Sequence, residues 1–266
     1  MPQVRSLDAD IFYDVVGSGP TVVLLHPFPV NHDFWTPVLQ QLSARCRLIL
    51  PDLRAHGASG AGEGPATMDK HAADLVRVMN DADAGKAVFI GVSIGGYILF
   101  EFWRRNSERV SALALCNTKA QADSPEARNT RLQAAAEVLE HGVEPFAETM
   151  LPKLLGQTTR STRPDLVEGA RKMILRMSAE DVSQVQKGMA ARPDSVSTLK
   201  TINVPSLIIT GDEDTMTGVP EAELMHQSLV NSQMKVIAKA GHYSPWEQPN
   251  DAGRVLRQFL DGLQGG

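Results

Sequence analysis

Ser93 lies in Gly91-Val92-Ser93-Ile94-Gly95-Gly96, between the apolar run Lys86-Ala87-Val88-Phe89-Ile90 and a helix-like stretch over 97–105. Strand, Gly-x-Ser-x-Gly, helix is the setting of a nucleophile elbow, in which a sharp turn lifts a serine hydroxyl to the carboxyl edge of a sheet. Gly91 and Gly95 suit that turn, because strand and helix approach too closely there for side chains. The Ile94 amide, at the helix start, stands where a developing oxyanion would need a donor. The same six residues also read as a glycine-rich turn with a solvent-facing serine. The rest of the chain decides between the two.

A serine at neutral pH needs a base, and the base needs an orienting acid. Of seven histidines, three follow apolar runs: His26, His56 and His242. His26 stands before Pro27-Phe28-Pro29 and His56 lies within Arg54-Ala55-His56-Gly57, so both are expected to build loops through backbone hydrogen bonds. His242 follows a strand and Gly241, and completes the chain order Ser, acid, His. Asp212, Glu213 and Asp214 compete as the acid, all after the run 207–210. The turn at Gly211 favours Asp214, leaving Asp212 and Glu213 as solvated or turn-forming. A second oxyanion donor is expected from Phe28, which alone in Pro27-Phe28-Pro29 has an N–H to give.

These side chains meet only if their loops share one edge of a sheet. Strand patterns are expected over 11–16, 21–25, 47–50, 86–90 and 110–116, separated by helices over 34–45, over 67–81 with Thr67 as cap, and after Ser93. Ala72, Leu75, Val76 and Met79 should share the buried face of the second helix. This alternation predicts an α/β fold, a mostly parallel, doubly wound sheet with helices on both faces. From 124 to 200 only helical patterns occur, over 126–140, 145–155, 164–177 and 179–190. The expected division is therefore a core of residues 1–117 and 201–266, with 118–200 as a helical cap over the sheet's carboxyl edge. Sheet character returns at 204–210 and 234–237, with helices over 219–229 and 251–263.

Composition bounds the function classes. The chain has 266 residues, 42% hydrophobic and 21% charged, with a net charge of −5. That balance gives no footprint for nucleic acid or an anionic membrane. No run is long and apolar enough to span a membrane, and residues 1–10 carry Asp8 and Asp10 instead of a leader's apolar centre. A cytoplasmic location is expected. Cys46 and Cys116 make neither a disulfide framework nor a metal site, and are expected as buried free thiols.

On His26-Pro27-Phe28-Pro29, Asp52-Leu53-Arg54-Ala55-His56-Gly57-Ala58-Ser59, the Ser93 motif, Gly211-Asp212-Glu213-Asp214 and Gly241-His242, the whole chain resembles the α/β-hydrolase superfamily. Leu115-Cys116-Asn117-Thr118 leading into helices resembles the branch of 3-oxoadipate enol-lactonases and small carboxylesterases, whose neighbours include acyl-homoserine lactone hydrolases. The resemblance implies a Ser93–Asp214–His242 triad, Phe28 and Ile94 as oxyanion donors, and no cofactor or metal. Two positions depart from the usual pattern: Pro27 and Ala55 each replace a glycine, in loops, without removing a catalytic group. The serine excludes the aspartate-dependent dehalogenase and epoxide hydrolase chemistries of the fold. Hydrolysis of a small-molecule ester or lactone is the expected activity, in a monomer or homodimer. Its alternatives are carbon–carbon hydrolysis of β-diketone-like substrates, which the spacing of His242 and Trp246 resembles, a cofactor-free perhydrolase, and a low-turnover ligand receptor. Trp35, Trp103, Met150, Met173, Met177 and Trp246 are the candidate substrate contacts, with Phe28. Their character predicts an apolar acyl pocket; a substrate carboxylate would bring Arg54, Arg171 or Arg176 into play.

Overall fold

The computed structural model describes residues 2–263. Eight strands form one sheet: β1 (Gln3–Ser6), β2 (Ala9–Val16), β3 (Thr21–Leu25), β4 (Arg47–Pro51), β5 (Ala87–Val92), β6 (Val110–Cys116), β7 (Ser206–Gly211) and β8 (Ser232–Ile237). Their spatial order is β1-β2-β4-β3-β5-β6-β7-β8. The first two strands pair antiparallel with each other, and β2 is antiparallel to β4; every other pair is parallel. The central strands are apolar throughout because helices cover both faces. β5 is buried at all six positions, whereas β8, at the edge, is exposed at Gln233, Lys235 and Val236.

The helices are α1 (Thr36–Ser43), α2 (Met68–Asp81), α3 (Ile94–Asn106), α4 (Pro125–His141), α5 (Val143–Leu154), α6 (Gln157–Thr162), α7 (Pro164–Ile174), α8 (Ala179–Ala190), α9 (Val196–Leu199), α10 (Val219–Ser228), α11 (Ser244–Glu247) and α12 (Pro249–Gly262). In α2, Met68, Ala72, Leu75, Val78 and Met79 are buried, and Val76 stands at the margin of that face. Thr67 occupies the cap position but makes no capping hydrogen bond with its side chain. The expected helix from Phe34 begins instead at Thr36. Before it, His32–Trp35 forms a tighter 3₁₀ turn, with the Asn31 side chain accepting from the Asp33 amide at 3.2 Å.

Helices α4 to α9 fill the chain between β6 and β7, and α4 packs on α8 while α5 packs on α7. The strand β1 and the helices α6 and α9 were not expected. Each is four to six residues long, too short for an apolar period to show. Among the described residues, no helix is long and apolar enough to cross a membrane. Cys46 and Cys116 are buried and free. The loops after β3, β5, β6, β7 and β8 all leave the same edge of the sheet, which brings residues far apart in sequence together.

Candidate active site

The turn between β5 and α3 has the geometry that its glycines suggested. Ser93 has φ 55° and ψ −114°, a left-handed conformation that costs a non-glycine residue on the order of 1–3 kcal/mol. Neighbouring strands hold it there: its amide donates to the Cys116 carbonyl at 3.0 Å, and the Thr118 hydroxyl donates to its carbonyl at 2.7 Å. A Cβ at Gly91 would lie 2.7 Å from the Gly95 carbonyl carbon, so only glycine lets strand and helix meet this closely.

Ser93 Oγ lies 2.8 Å from His242 Nε2, and His242 Nδ1 lies 2.9 Å from Asp214 Oδ2. With Nδ1 facing a carboxylate, the ring carries its proton there and leaves Nε2 to accept from the serine hydroxyl. Two further side chains brace the carboxylate. Asn117 Nδ2 donates to Asp214 Oδ2 at 2.9 Å, and the Thr217 hydroxyl donates to the same oxygen at 3.0 Å. The Met216 and Thr217 amides donate to Oδ1 at 2.8 and 3.0 Å. Burial pushes the Asp214 carboxyl up, but the charge and bond of His242, with Asn117 and Thr217, outweigh it and hold its pKa well below the usual carboxylate range. All three residues are nearly sealed from solvent, with Ser93 at 7% exposure and His242 at 1%.

The competing acids go elsewhere. Asp212 Oδ1 accepts from the Ala240 amide at 3.4 Å, and Glu213 accepts from the amide and hydroxyl of Thr158 at the start of α6. His26 and His56 are loop residues, as expected. His26 Nε2 accepts from the Leu53 amide at 2.9 Å while its Nδ1 meets the Pro27 carbonyl, and His56 Nδ1 meets the Arg54 carbonyl at 2.9 Å. Beside them, the Phe28 amide meets no protein acceptor among the described residues. Its carbonyl accepts from the buried Tyr243 hydroxyl at 2.9 Å, which ties this loop to the neighbour of His242. The Ile94 amide, first in α3, has no acceptor within its helix.

A cavity of about 500 Å³ opens between α4, α5 and the sheet edge. It touches Tyr97, one turn beyond Ser93, and Thr217, which bonds Asp214. Its apolar wall includes Val138, Phe146 and Met150. Phe146 packs edge-on against Phe28, with ring centroids 5.9 Å apart. Of the six candidate contacts only Met150 lines this space. Trp35 is fully buried against Phe34, and Trp103 donates to Thr201 Oγ1 at 3.0 Å. Met173 and Met177 are buried in the core. Trp246 stacks over Phe34 and donates to the Leu166 carbonyl at 3.2 Å, a joint between α7 and the core.

The cavity is not purely apolar, contrary to expectation. Lys119 and Arg131 line it, converging with Arg192 on Asp123. Arg192 Cζ lies over the Tyr97 ring, 4.2 Å from its centroid. Burial works against ionisation of Asp123, but the bond to Arg192 and the charges of both arginines hold its pKa down to about 2. Three cations thus face one carboxylate. Arg54, Arg171 and Arg176 are engaged elsewhere, with Asp74 and Asp8, with Glu144 and Glu148, and with Asp33.

The fold is shared with known proteins. A thermophilic esterase from Thermogutta terrifontis, solved with malate bound, superposes with a TM-score of 0.95 at 35% identity, covering 98% of each chain. The 3-oxoadipate enol-lactonase 2 of Acinetobacter baylyi is 26% identical over 259 residues, 95% of this chain and 94% of its own. Est816, described as an N-acyl homoserine lactone degrading enzyme, superposes with a TM-score of 0.82 at 26% identity, covering 97% of this chain and all (100%) of its own. The sequence pattern of the alpha/beta hydrolase fold matches residues 20–249. With that match over most of its length, the chain belongs to the α/β-hydrolase fold family.

Proposed function

We propose that this chain is a serine hydrolase of carboxylic esters or lactones, with Ser93 as nucleophile, His242 as general base and acid, and Asp214 as the acid that orients it. The observation that carries this reading is the continuous relay from Ser93 Oγ through His242 to Asp214 at a left-handed elbow. Ester hydrolysis in general is also supported by the esterase and enol-lactonase among its relatives.

In the first half-reaction Ser93 Oγ attacks the substrate carbonyl as its proton passes to His242 Nε2. The carbonyl oxygen becomes an oxyanion, for which the Phe28 and Ile94 amides are the proposed donors, each worth about 10²–10³ in turnover. Collapse breaks the bond to the alkoxide, which takes the proton from Nε2 and leaves an acyl-enzyme. Water then gives its proton to Nε2, attacks the acyl carbon and releases the acid, restoring Ser93. From a lactone, alcohol and acid leave as one molecule.

Lys119, Arg131 and Lys153 on the cavity wall outnumber Asp123 and Glu137, and this small cation surplus favours a substrate whose acyl part carries an acidic group. Lys119 follows Thr118, whose hydroxyl holds the Ser93 carbonyl, and lines the cavity together with Tyr97. The apolar wall of Val138, Phe146 and Met150 favours a second reading, a neutral acyl chain such as that of an acyl-homoserine lactone. Steady-state hydrolysis of p-nitrophenyl hydrogen succinate and p-nitrophenyl butyrate, with γ-lactones in parallel, separates the two. Turnover should vanish in Ser93→Ala. The acidic ester should lose roughly 10-fold or more in kcat/KM in Arg131→Ala, as removal of a charged hydrogen bond predicts. Equal losses for both esters would refute the acidic-substrate reading, and turnover surviving in Ser93→Ala would refute the nucleophile.

A further inference from the structure

The proposed chemistry makes no use of Glu247, although it is a buried acid beside the active site. It closes α11, five residues after His242, and is 2% exposed. Its Oε1 accepts from the Gly241 amide at 2.9 Å and the Tyr243 amide at 3.1 Å, the two neighbours of His242 in the chain. Its Oε2 accepts from the Gly156 amide at 2.8 Å, between α5 and α6. The Thr159 hydroxyl is a further donor to it. One carboxylate therefore joins the base's loop to the helical segment above it.

The surrounding backbone is built for this contact. Tyr243 also donates its amide to the Leu154 carbonyl at 3.2 Å. A Cβ at Gly241 would lie 2.8 Å from Gly156 Cα, so the two chain segments touch at glycine on both sides. Glu213, adjacent to Asp214, holds the Thr158 amide at 2.8 Å from the other flank. Burial pushes the Glu247 carboxyl up in pKa, and its hydroxyl and backbone donors oppose that shift. A buried carboxylate is costly unless its lone pairs are filled, and an apolar side chain would fill the same space without that cost. Here every named partner is a group that fixes where His242 sits or where residues 154–159 dock.

We propose that Glu247 is a positioning residue, which clamps the His242 loop onto the 154–159 segment and so sets the distance between His242 Nε2 and Ser93 Oγ. The inference rests on the Ser93–His242–Asp214 reading. Glu247→Gln is the informative variant, because it keeps the volume but turns one acceptor into a donor facing an amide. The probe is a small alkyl fluorophosphonate, which reports the reactivity of Ser93 without reference to the natural substrate. In Glu247→Gln the maximal rate of Ser93 labelling should fall roughly 10- to 100-fold with the reagent's apparent affinity held, as expected for a nucleophile–base pair displaced by a fraction of an ångström. Glu213→Gln, which loosens the same segment but touches neither neighbour of His242, should lower the maximal rate less than Glu247→Gln does. An unchanged maximal rate in Glu247→Gln, or a loss of affinity alone, overturns the positioning role. Failure of the unaltered chain to label at Ser93 overturns the triad reading and this inference with it. Amide hydrogen exchange on the unaltered chain gives a check that no folding defect can obscure: Gly156, Gly241 and Tyr243 should exchange as one protected group. Rapid exchange of Gly241 and Tyr243 beside a protected Gly156 would overturn the clamp.

Discussion

Asp214 keeps its charge through four donors besides His242, and that distribution decides what its replacement does. Thr217 and Met216 hold Oδ1 through their amides, while Asn117, Thr217 and His242 share Oδ2. In Asp214→Asn the side-chain oxygen stays with the two amides and the new NH₂ faces His242 Nδ1. The ring then carries its proton on Nε2 and cannot accept from Ser93. Turnover should fall on the order of 10⁴ with the fold intact, by the logic of the serine–histidine–aspartate triad. Circular dichroism and kcat on the same sample check this, and a loss of only a few-fold would remove Asp214 from its proposed role. That Ser93, Asp214 and His242 meet was legible in the sequence, because the proposed chemistry constrains residue type and chain order. Asn117 and Thr217 were not, since an amide or hydroxyl after an apolar strand has many uses. Asn117 earns its place only because β6 lies beside β7, a fact of sheet order.

Among the elements, α8 shows how the helical segment is seated on the sheet. Gly188 lies against the loop leading into α2, and a Cβ there would fall directly on the Ala66 carbonyl. The Ala66 amide donates to the Gln184 carbonyl of the same helix at 3.1 Å. Gly188→Ala sets two effects against each other. Alanine stabilises a helix interior by about 1 kcal/mol over glycine, whereas forcing a methyl into packed backbone costs typically 1–3 kcal/mol. The contact is with main chain, which cannot rotate away, so the steric term should win. Urea unfolding should show a lower midpoint at unchanged slope; a higher midpoint would mean that α8 is not seated as described. Existence and type of the long elements were readable, because periods of two and 3.6 survive over ten residues. The cavity lining was not. Apolar spacing says that Met173, Met177 and Trp35 are buried and Trp246 partly so, but not that they pack within the protein instead of facing substrate. Lys119 and Arg131 are brought together only by the turn from β6 into α4.

Across the whole molecule, two loops and helix α2 under the candidate site hold three neutral histidines that make the fold sensitive to acid. His26, His56 and His71 are 0–1% exposed, and the rings of His26 and His56 lie 5.0 Å apart. Burial lowers the pKa of each. For His26 the nearby His56 adds to this, bringing the value to about 3; for His71, with His56 and Arg54 close by, it falls well below normal. In the unfolded chain all three return to about 6.5. Their contribution is therefore complete above pH 6.5 and is lost as pH falls toward the folded values, because the unfolded state then binds more protons. Each ring can remove up to about 1.4 kcal/mol per pH unit. His32 acts oppositely: Asp52 raises its pKa despite burial, so its contribution is present in acid and fades as pH rises. Three sites against one give a net loss in acid, and a domain's whole margin is only about 5–15 kcal/mol. The urea midpoint should fall steeply from about pH 6 downward, and only the smaller, opposite His32 contribution should change it above pH 6.5. Both ring nitrogens of His71 lack a hydrogen-bond partner among the described residues, so His71→Leu removes one proton site without stranding another group. The variant should unfold in acid with a visibly shallower dependence on pH than the unaltered chain. Parallel curves for the two proteins would mean that His71 takes up its proton as readily in the native state as in the unfolded one, and that its surroundings are wetter than their packing implies.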